Sequence, residues 1–223
     1  MDLAVSDLNS APEPRLRLDY TRAARCRRCK LPPGLCVCAS IPRFELPYRF
    51  YVLRHATEVD KQSNTGSLVP EMLPGSRMFE WGSVQGPMDR SVLVDSQSLY
   101  FKLFPIPSAP CVSPELVLDS DGRVPTFVLC DASWSRARRM VTRIPELQRY
   151  PFVSLPATLN AQPARAMRRP PKPGHLSSLA AAIRVIELMG DVDVAREMRA
   201  FMEMLYERIL VVRGKVRRTR ACS

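Results

Sequence analysis

Short apolar runs, rich in β-branched and aromatic residues, recur along the chain and are separated by polar or proline-containing segments. Runs of this length and composition are typical of buried β-strands. We predict five such strands, at residues 48–56, 76–82, 91–96, 126–130 and 152–155.

Segments with apolar residues at helical spacing lie between and after these runs. One spans residues 133–143 and ends before Pro145, a residue that stops helices. Two more span residues 175–191 and 194–214, and a turn at residues 63–66 opens a short helix. Because strands alternate with helices, the sequence predicts an α/β fold with a largely parallel sheet.

The remaining segments suggest how the chain is divided. Residues 1–20 begin acidic and lack a long apolar core, so we predict a flexible leader and not a signal peptide. Residues 21–43 are rich in cysteine and proline, residues 44–214 carry the α/β pattern, and residues 215–223 form a basic tail. No apolar run approaches the roughly 20 residues that a membrane helix needs. We therefore predict a cytoplasmic protein without membrane contact, and a monomer.

Charge adds a candidate partner. The chain has 33 Lys and Arg against 22 Asp and Glu, a formal net charge of +11. The basic residues cluster around the cysteines, within and after residues 134–143, and in the tail. A polyanion such as nucleic acid accounts for this clustering, and solvated helix faces with a flexible tail are the alternative.

Four cysteines lie close together near the N-terminus, in the pattern Cys26-x2-Cys29-x6-Cys36-x-Cys38. Four thiolates can surround one zinc ion when the chain turns tightly between them, and Pro32-Pro33-Gly34 supplies such a turn. We predict a structural zinc site, because four protein ligands leave no position open for catalysis. Two disulfides, which a reducing cytoplasm disfavours, and free buried thiols are the alternatives.

The strand predicted at residues 126–130 ends directly on an acid, Asp131, which is followed by a tryptophan and three arginines. In parallel sheets, ligands bind beyond the carboxyl ends of the strands, and both Asp131 and His55 stand at predicted ends. This edge of the sheet is therefore the candidate site. Capping of the following helix by Asp131 is the structural alternative.

The segment Asp131-Ala132-Ser133-Trp134 resembles the Asp-x-Thr-Trp signature of the DTW-domain family, with serine in place of threonine. Other blocks occur in the family's order. CRRCKLPPGLCVC resembles its cysteine-rich block, LRHATEVDKQSNTGSL its His-Pro-x-Glu…Asn-Thr-Gly block, and RR…HLSSLAAA its Arg…Leu-Ser-Thr-Leu-Glu-Ala block. The chain departs from the pattern at Ala56, where proline is common, at Ala180, where glutamate is usual, and near Arg165, where a tyrosine is missing.

The resemblance implies both a fold and an activity. Characterised members are tRNA-uridine aminocarboxypropyltransferases, which move the 3-amino-3-carboxypropyl group of S-adenosylmethionine to N3 of a uridine. The family is related to SPOUT transferases, whose α/β domain is knotted. We accordingly expect a SPOUT-like, knotted domain, S-adenosylmethionine as the donor, and tRNA as the partner. The expected target is a uridine of the variable region, with methylthioadenosine as the by-product.

The resemblance, together with the strand ends, implies three groups of site residues. The expected catalytic residues are Asp131, as acceptor of the N3 proton, with Ser133 and Trp134. The expected cofactor-binding residues are His55, Glu58, Asn64, Thr65, Gly66, Leu129, Cys130, Leu155, Arg168, Leu176, Ser177 and Ser178. The expected RNA-binding residues are Arg136, Arg138, Arg139, Arg165, Arg169 and Lys172.

Simpler roles remain open for several of these residues. Trp134 would suit core packing, residues 64–66 a plain turn, His55 a structural role, and Ser177 with Ser178 helix capping. The function also has two alternatives: a non-catalytic, zinc-containing RNA-binding protein and an S-adenosylmethionine-dependent RNA methyltransferase.

Overall fold

The computed structural model describes residues 24–61, 64–84, 86–118, 120–156 and 176–214. The predicted leader, the basic tail and the predicted roles of Arg165, Arg168, Arg169 and Lys172 lie outside the described residues.

A five-stranded parallel sheet forms the centre of the protein. Its strands are β1 (Arg49–His55), β2 (Arg77–Trp81), β3 (Ser98–Leu103), β4 (Val124–Asp131) and β5 (Phe152–Val153). The order across the sheet is β2-β1-β4-β3-β5, so β4 is central and lies beside β1. Each pairing between these described strands is parallel. The predicted α/β fold with a mostly parallel sheet is confirmed, and the knot stays a prediction.

The prediction of a strand at residues 91–96 is wrong. Residues Arg90–Leu93 form a 3-10 turn, because the Asp89 carboxylate accepts the backbone N–H of Ser91 at 2.9 Å. A short acidic side chain commonly competes in this way with regular pairing of the backbone. The strand in this part of the chain is β3, which begins later, at Ser98. Because β3 is almost entirely buried, its sequence lacks the alternation of apolar and polar residues that marks a half-exposed strand.

In the described part of the chain, four helices cover the sheet: α1 (Val69–Met72), α2 (Trp134–Arg143), α3 (Ser178–Leu188) and α4 (Val192–Val212). Helices α3 and α4 pack with Phe50 and Phe127 in the main core, on one face of the sheet. Helix α2 places Met140 against Tyr51 and Val128 on the other face. Within the described ranges, no helix has the length and apolar character of a membrane span.

The cysteine-rich segment packs onto the same core as the sheet. Leu31 and Leu35 are buried in the main cluster of apolar side chains. The Arg28 guanidinium contacts both carboxylate oxygens of Glu71 in α1, at 3.3 and 2.5 Å. The backbone N–H of Phe44 donates to the carbonyl of Met72 at 2.9 Å. The segment is thus joined to α1, which follows the turn containing Gly66.

Candidate active site

Asp131 is the last residue of the central strand, and its side chain points toward α3. Side chains alternate along a strand, so Asp131 shares a face with Phe127 and Leu129. Both of these residues pack in the core that includes α3 and α4. Asp131 also lies beside Arg54 of β1 in the parallel register. The carboxylate therefore stands at the carboxyl edge between two neighbouring strands, where ligands of such sheets collect.

Among the described residues, two segments are seen to contact the Asp131 carboxylate. The Ser178 hydroxyl, at the start of α3, donates a hydrogen bond of 2.7 Å to Asp131 Oδ1. On the other side, a Cβ atom added to Gly66 would lie only 2.6 Å from Asp131 Oδ2. Glycine is therefore required at position 66 to let the backbone approach this closely. The structure brings three predicted site residues, Gly66, Asp131 and Ser178, into direct contact.

The N-cap residue of α2 is Ser133 and not Asp131, so the structural alternative in which Asp131 caps the helix is wrong. The Ser133 hydroxyl lies 3.5 Å from that of Ser135. Trp134 starts the helix and is partly buried, with its ring centroid 6.0 Å from that of Phe104. Its ring thus contributes to packing beside the site, in a small cluster with Ala137 and Val141.

The turn at Asn64, Thr65 and Gly66, which approaches the carboxylate at Gly66, contains a buried amide. The Asn64 side chain is only 9% exposed, and within the described chain neither its Oδ1 nor its Nδ2 has a hydrogen-bond partner. Buried amides are nearly always hydrogen-bonded, so this one is suited to a polar ligand. Thr65 is also buried, and its carbonyl accepts the N–H of Leu68 at 3.1 Å. The polar atoms needed to hold a small polar molecule are therefore present.

Ser177 caps α3, as the simpler interpretation of this residue predicts. Its hydroxyl accepts the backbone N–H of Ala180 at 3.3 Å and lies 3.1 Å from the hydroxyl of Tyr206 in α4. Ser178, the next residue, is turned toward Asp131. Sequence reasoning missed Tyr206, because the helical pattern of α4 indicates only that its ring is buried.

The structure separates His55 from Asp131. His55 alternates along β1 with Tyr51 and Leu53, which pack in the cluster on the α2 face. Its Nδ1 accepts the backbone N–H of Thr57 at 3.2 Å, which caps the 3-10 turn Ala56–Glu58. The predicted cofactor contact of His55 is therefore not on the side of the sheet that carries the carboxylate.

Positive charge surrounds His55. Desolvation by burial lowers the pKa of His55, and the nearby Arg136 and Arg139 lower it further. The buried Glu58 opposes them, and its carboxylate is held by Lys61 Nζ at 2.5 Å. Lys61 lies three residues after Glu58, a spacing from which this ion pair could have been predicted.

The arginines of α2 differ in direction. Arg136 and Arg139 are three residues apart and lie on one face of the helix, from which both lower the pKa of His55. Arg138 lies on another face. Within the described chain, none of the three forms an ion pair, although Arg54 and Arg184 pair with acids. Unpaired arginines beside the strand ends are available to a polyanion.

The other predicted cofactor residues are mainly apolar and occupy different surroundings. Leu129 is buried in the main core, and the partly buried Leu155 and Leu176 pack against that core. Cys130 faces the opposite side of the sheet from Leu129. Burial, together with the charge of Asp131, raises the pKa of the Cys130 thiol to about 12. This thiol is accordingly protonated at neutral pH and is no nucleophile.

The four clustered cysteines fit a metal ion. All four sulfur atoms lie within 4.8 Å of one another, with Cys26 and Cys38 at 3.5 Å and Cys29 and Cys36 at 3.6 Å. Four thiolates on one zinc ion would be about 3.8 Å apart, given Zn–S distances of about 2.3 Å. A backbone hydrogen bond from Cys29 lowers the pKa of Cys26 to about 6, so one ligand is readily ionised.

The structure does not support the alternative of two disulfides, because the thiols of Cys26, Cys29, Cys36 and Cys38 are free. The turn between Cys29 and Leu31 uses Lys30 in the left-handed region, with φ of 60°. The backbone N–H of Lys30 closes the turn by donating a hydrogen bond of 2.9 Å to the carbonyl of Cys26. A tight turn of this kind brings the first two sulfur atoms to the same side, as metal binding requires.

Comparison with known proteins places these features in a family. A solved structure, the SAM-dependent rRNA:acp-transferase Tsr3 from Vulcanisaeta distributa, is similar with 17% identity and a TM-score of 0.45 over 76% of this chain and 80% of that one. The family model named DTW domain matches residues 23–210, which include the cysteine cluster, the Asn64–Gly66 turn, Asp131 and the helices around them. The chain belongs to the DTW domain family.

Proposed function

We propose that this protein transfers the 3-amino-3-carboxypropyl group of S-adenosylmethionine to N3 of a uridine in tRNA. The product would be a 3-(3-amino-3-carboxypropyl)uridine in the variable region. The proposal follows from membership of the family and from one observation above all: the Asp131 carboxylate is held by Ser178 and Gly66 at the carboxyl end of the central strand. The protein would act as a monomer in the cytoplasm.

The turn at Asn64–Gly66 and the first turn of α3 are the segments suited to hold the donor. The Asn64 amide offers both a donor and an acceptor in a buried position. When bound, S-adenosylmethionine would supply an activated carbon, so that the N3–C bond forms while the C–S bond breaks and methylthioadenosine leaves as a neutral thioether. Holding that carbon, and not the methyl group, in line with N3 is a matter of orientation by these residues.

Asp131 would accept the proton that N3 loses. Uridine N3 carries a hydrogen and is a poor nucleophile until that hydrogen is removed, which general base catalysis accelerates. The hydrogen bond from Ser178 keeps Oδ1 in one orientation. Gly66 keeps the backbone of the turn against the same carboxylate. The two contacts would hold the base in place before the substrate binds.

The basic face formed by Arg136 and Arg139 would bind the RNA backbone. It lies at the same edge of the sheet as Asp131 but on the α2 side, where these charges surround His55. Phosphate contacts position a nucleic acid without selecting its sequence. A strand bound there would bring a nucleobase over the ends of β1 and β4. In this arrangement the donor and the RNA approach Asp131 from opposite faces of the sheet.

The cysteine cluster would hold a structural zinc ion. With four thiolates as ligands, the ion would have no open position and would take no part in the reaction. Its effect would be to hold the segment that Arg28 and Phe44 join to α1.

Isotope labelling tests the proposal. The purified protein is incubated with unmodified tRNA transcripts and S-adenosylmethionine labelled either at the carboxyl carbon or at the methyl carbon. We expect the carboxyl label in RNA, one methylthioadenosine per modified nucleoside, and a modified uridine by nucleoside mass spectrometry.

The other outcomes identify the alternatives. Methyl label in RNA would show a methyltransferase, and RNA binding without either label would show a non-catalytic RNA-binding protein. Ribosomal RNA serves as a comparison substrate in the same assay. Carboxyl label in ribosomal RNA but not in tRNA would retain the transfer reaction and overturn the choice of tRNA.

A further inference from the structure

One buried side chain, Tyr206, lies near both of the described segments that contact the Asp131 carboxylate. Ser178 donates to Asp131, and its neighbour Ser177 lies with its hydroxyl 3.1 Å from that of Tyr206. Gly66 packs against Asp131, and the buried hydroxyl of its neighbour Thr65 has no hydrogen-bond partner within the described chain, although it is near enough to the phenol to lower the pKa of Tyr206. Tyr206 thus contacts Ser177, next to one of the two contacts, and lies near Thr65, next to the other.

The phenol is well placed to hold both segments. Tyr206 is only 3% exposed and packs in the main core, so its ring has little freedom. A phenolic hydroxyl both donates and accepts, and either oxygen of the Ser177–Tyr206 pair can be the donor. If Ser177 donates to Tyr206, the phenolic hydrogen is directed to a second acceptor, and Thr65 Oγ1 is the buried hydroxyl that faces it.

We infer that Tyr206 is a positioning residue, whose hydroxyl holds the Thr65–Gly66 turn and the Ser177–Ser178 turn at the spacing that encloses Asp131. The functional consequence rests on the proposed function: loosening either turn would weaken binding of S-adenosylmethionine and displace the base. Tyr206 acts on Asp131 through these two turns. Its role is confined to the hydroxyl, since phenylalanine would fill the same space.

The chain offers a matched control in Tyr48. This residue is also buried in the main core, and its hydroxyl donates to Asp191 Oδ2 at 2.6 Å, in the connection between α3 and α4. Tyr48→Phe removes a buried phenolic hydrogen bond of at least equal strength, because its acceptor is a carboxylate. It leaves the Thr65 and Ser177 turns untouched.

Hydrogen exchange measures the inferred role without any ligand. In Tyr206→Phe we expect about three- to tenfold faster exchange at the amides of Leu68 and Ala180, as the loss of one buried hydrogen bond implies. These two amides are bonded within the two turns, to the Thr65 carbonyl and the Ser177 hydroxyl. In Tyr48→Phe they should exchange at the wild-type rate. Equal acceleration in both variants, or none in Tyr206→Phe, would overturn the inference.

Cofactor binding then connects the inferred role to the proposed function. The dissociation constant for S-adenosylmethionine, measured by calorimetry, should rise about three- to tenfold in Tyr206→Phe and stay within about twofold in Tyr48→Phe. Steady-state assays should show the change mainly in KM for the donor. A wild-type protein that binds no S-adenosylmethionine would refute the proposed function, while the exchange result would still decide the role of Tyr206.

Discussion

The Ser178 hydroxyl donates a hydrogen bond of 2.7 Å to the Asp131 carboxylate, across the gap between the first turn of α3 and the end of the central strand. The two residues are 47 positions apart in the chain, so this contact exists only because α3 packs against β4. It leaves Oδ2 on the side of Gly66, where backbone and carboxylate are in close approach. The arrangement explains why an acid is placed at the end of an otherwise apolar strand.

Replacing Asp131 by asparagine should stop turnover while leaving the site intact. The asparagine side chain has nearly the size of the aspartate it replaces and could still accept the hydrogen bond of Ser178, but it could not take up a proton. We expect kcat to fall by about 100-fold or more, the usual contribution of a general base. The dissociation constant for S-adenosylmethionine should change by less than about threefold.

The matched variant is Ser178→Ala, which removes the hydrogen bond and retains the base. We expect a smaller loss of kcat, of about tenfold, because the carboxylate is less well oriented. Full turnover in Asp131→Asn, with unchanged donor affinity, would refute the assignment of Asp131 as the base.

Adding one methyl group at Gly66 should disturb the same carboxylate. The Cβ of Gly66→Ala would lie 2.6 Å from Asp131 Oδ2, so either the turn or the acid has to move. The backbone of Gly66 is not in the left-handed region, so the effect is steric and not conformational. We expect kcat/KM to fall by about tenfold or more, as small displacements of catalytic groups do.

Gly75→Ala is the control, because nothing lies within 4 Å of a Cβ built at that position. Its activity should remain within about twofold of wild type. If Gly66→Ala were as active as Gly75→Ala, the close approach of backbone and acid would have no catalytic role.

The apolar patterns of the chain predict the sheet well where strands end in a clear polar signal. They identify the run that ends at Asp131 and the strand that ends at His55, and they also identify α2, α3 and α4. The pattern misplaces β3, because a strand buried on both faces shows no alternation and the apolar residues just before it resemble a strand equally well.

The sequence predicts which residue types are at the edge of the sheet, but not the face to which each one points. A shift of one position along β1 decides whether His55 or Arg54 is on the side of Asp131, and the pattern of β1 leaves this open. Tyr206 could not be predicted at all, because its contact with Ser177 spans 29 positions and depends on how α4 lies across α3. The cysteine cluster is predictable because its four residues are close in sequence.

The direction of the α2 arginines predicts unequal effects on RNA binding. Arg139 is exposed and lies on the face near His55, whereas Arg138, also exposed, lies on another face. Arg139→Ala should weaken tRNA binding about fivefold, in keeping with the loss of one solvent-exposed ionic contact to phosphate. The dependence of the logarithm of affinity on the logarithm of salt concentration should become shallower by about one unit.

Arg138→Ala removes the same charge from the same helix and is the matched control. We expect its affinity to stay within about twofold of wild type. Filter-binding titrations at several salt concentrations measure both variants. Equal losses in the two would mean that only net charge matters and that RNA does not approach along the face that carries Arg136 and Arg139.

Removing the metal should destabilise the domain. We expect one zinc per chain by inductively coupled plasma mass spectrometry of the purified protein. Cys29→Ser should lose that ion and lower the Tm by about 10 °C, because the buried cysteine segment is joined to the main core. Cys111→Ser is the control, since Cys111 is exposed and lies outside the cluster. A Cys29→Ser protein with full metal content, or a wild-type protein without zinc, would contradict the zinc assignment.

The position of His55 predicts a specific dependence of stability on pH. Burial lowers the pKa of His55, and Arg136 lowers it further. At pH values just below the ordinary pKa of about 6.5, the imidazole is therefore protonated in the unfolded chain but stays neutral in the folded one. The free energy of unfolding therefore has its full His55 contribution above about pH 7 and loses it as the pH falls through 6.5 toward the lowered pKa.

His55→Asn tests this dependence, because its Oδ1 can accept the N–H of Thr57 as the ring nitrogen does and cannot titrate in this range. We expect urea denaturation to show a smaller loss of stability between about pH 7 and pH 5.5 in this variant than in wild type. His175→Asn changes the only other histidine of the chain and should keep the wild-type dependence. An unchanged slope in His55→Asn would show that neither burial nor the arginines of α2 hold this histidine neutral in the folded protein.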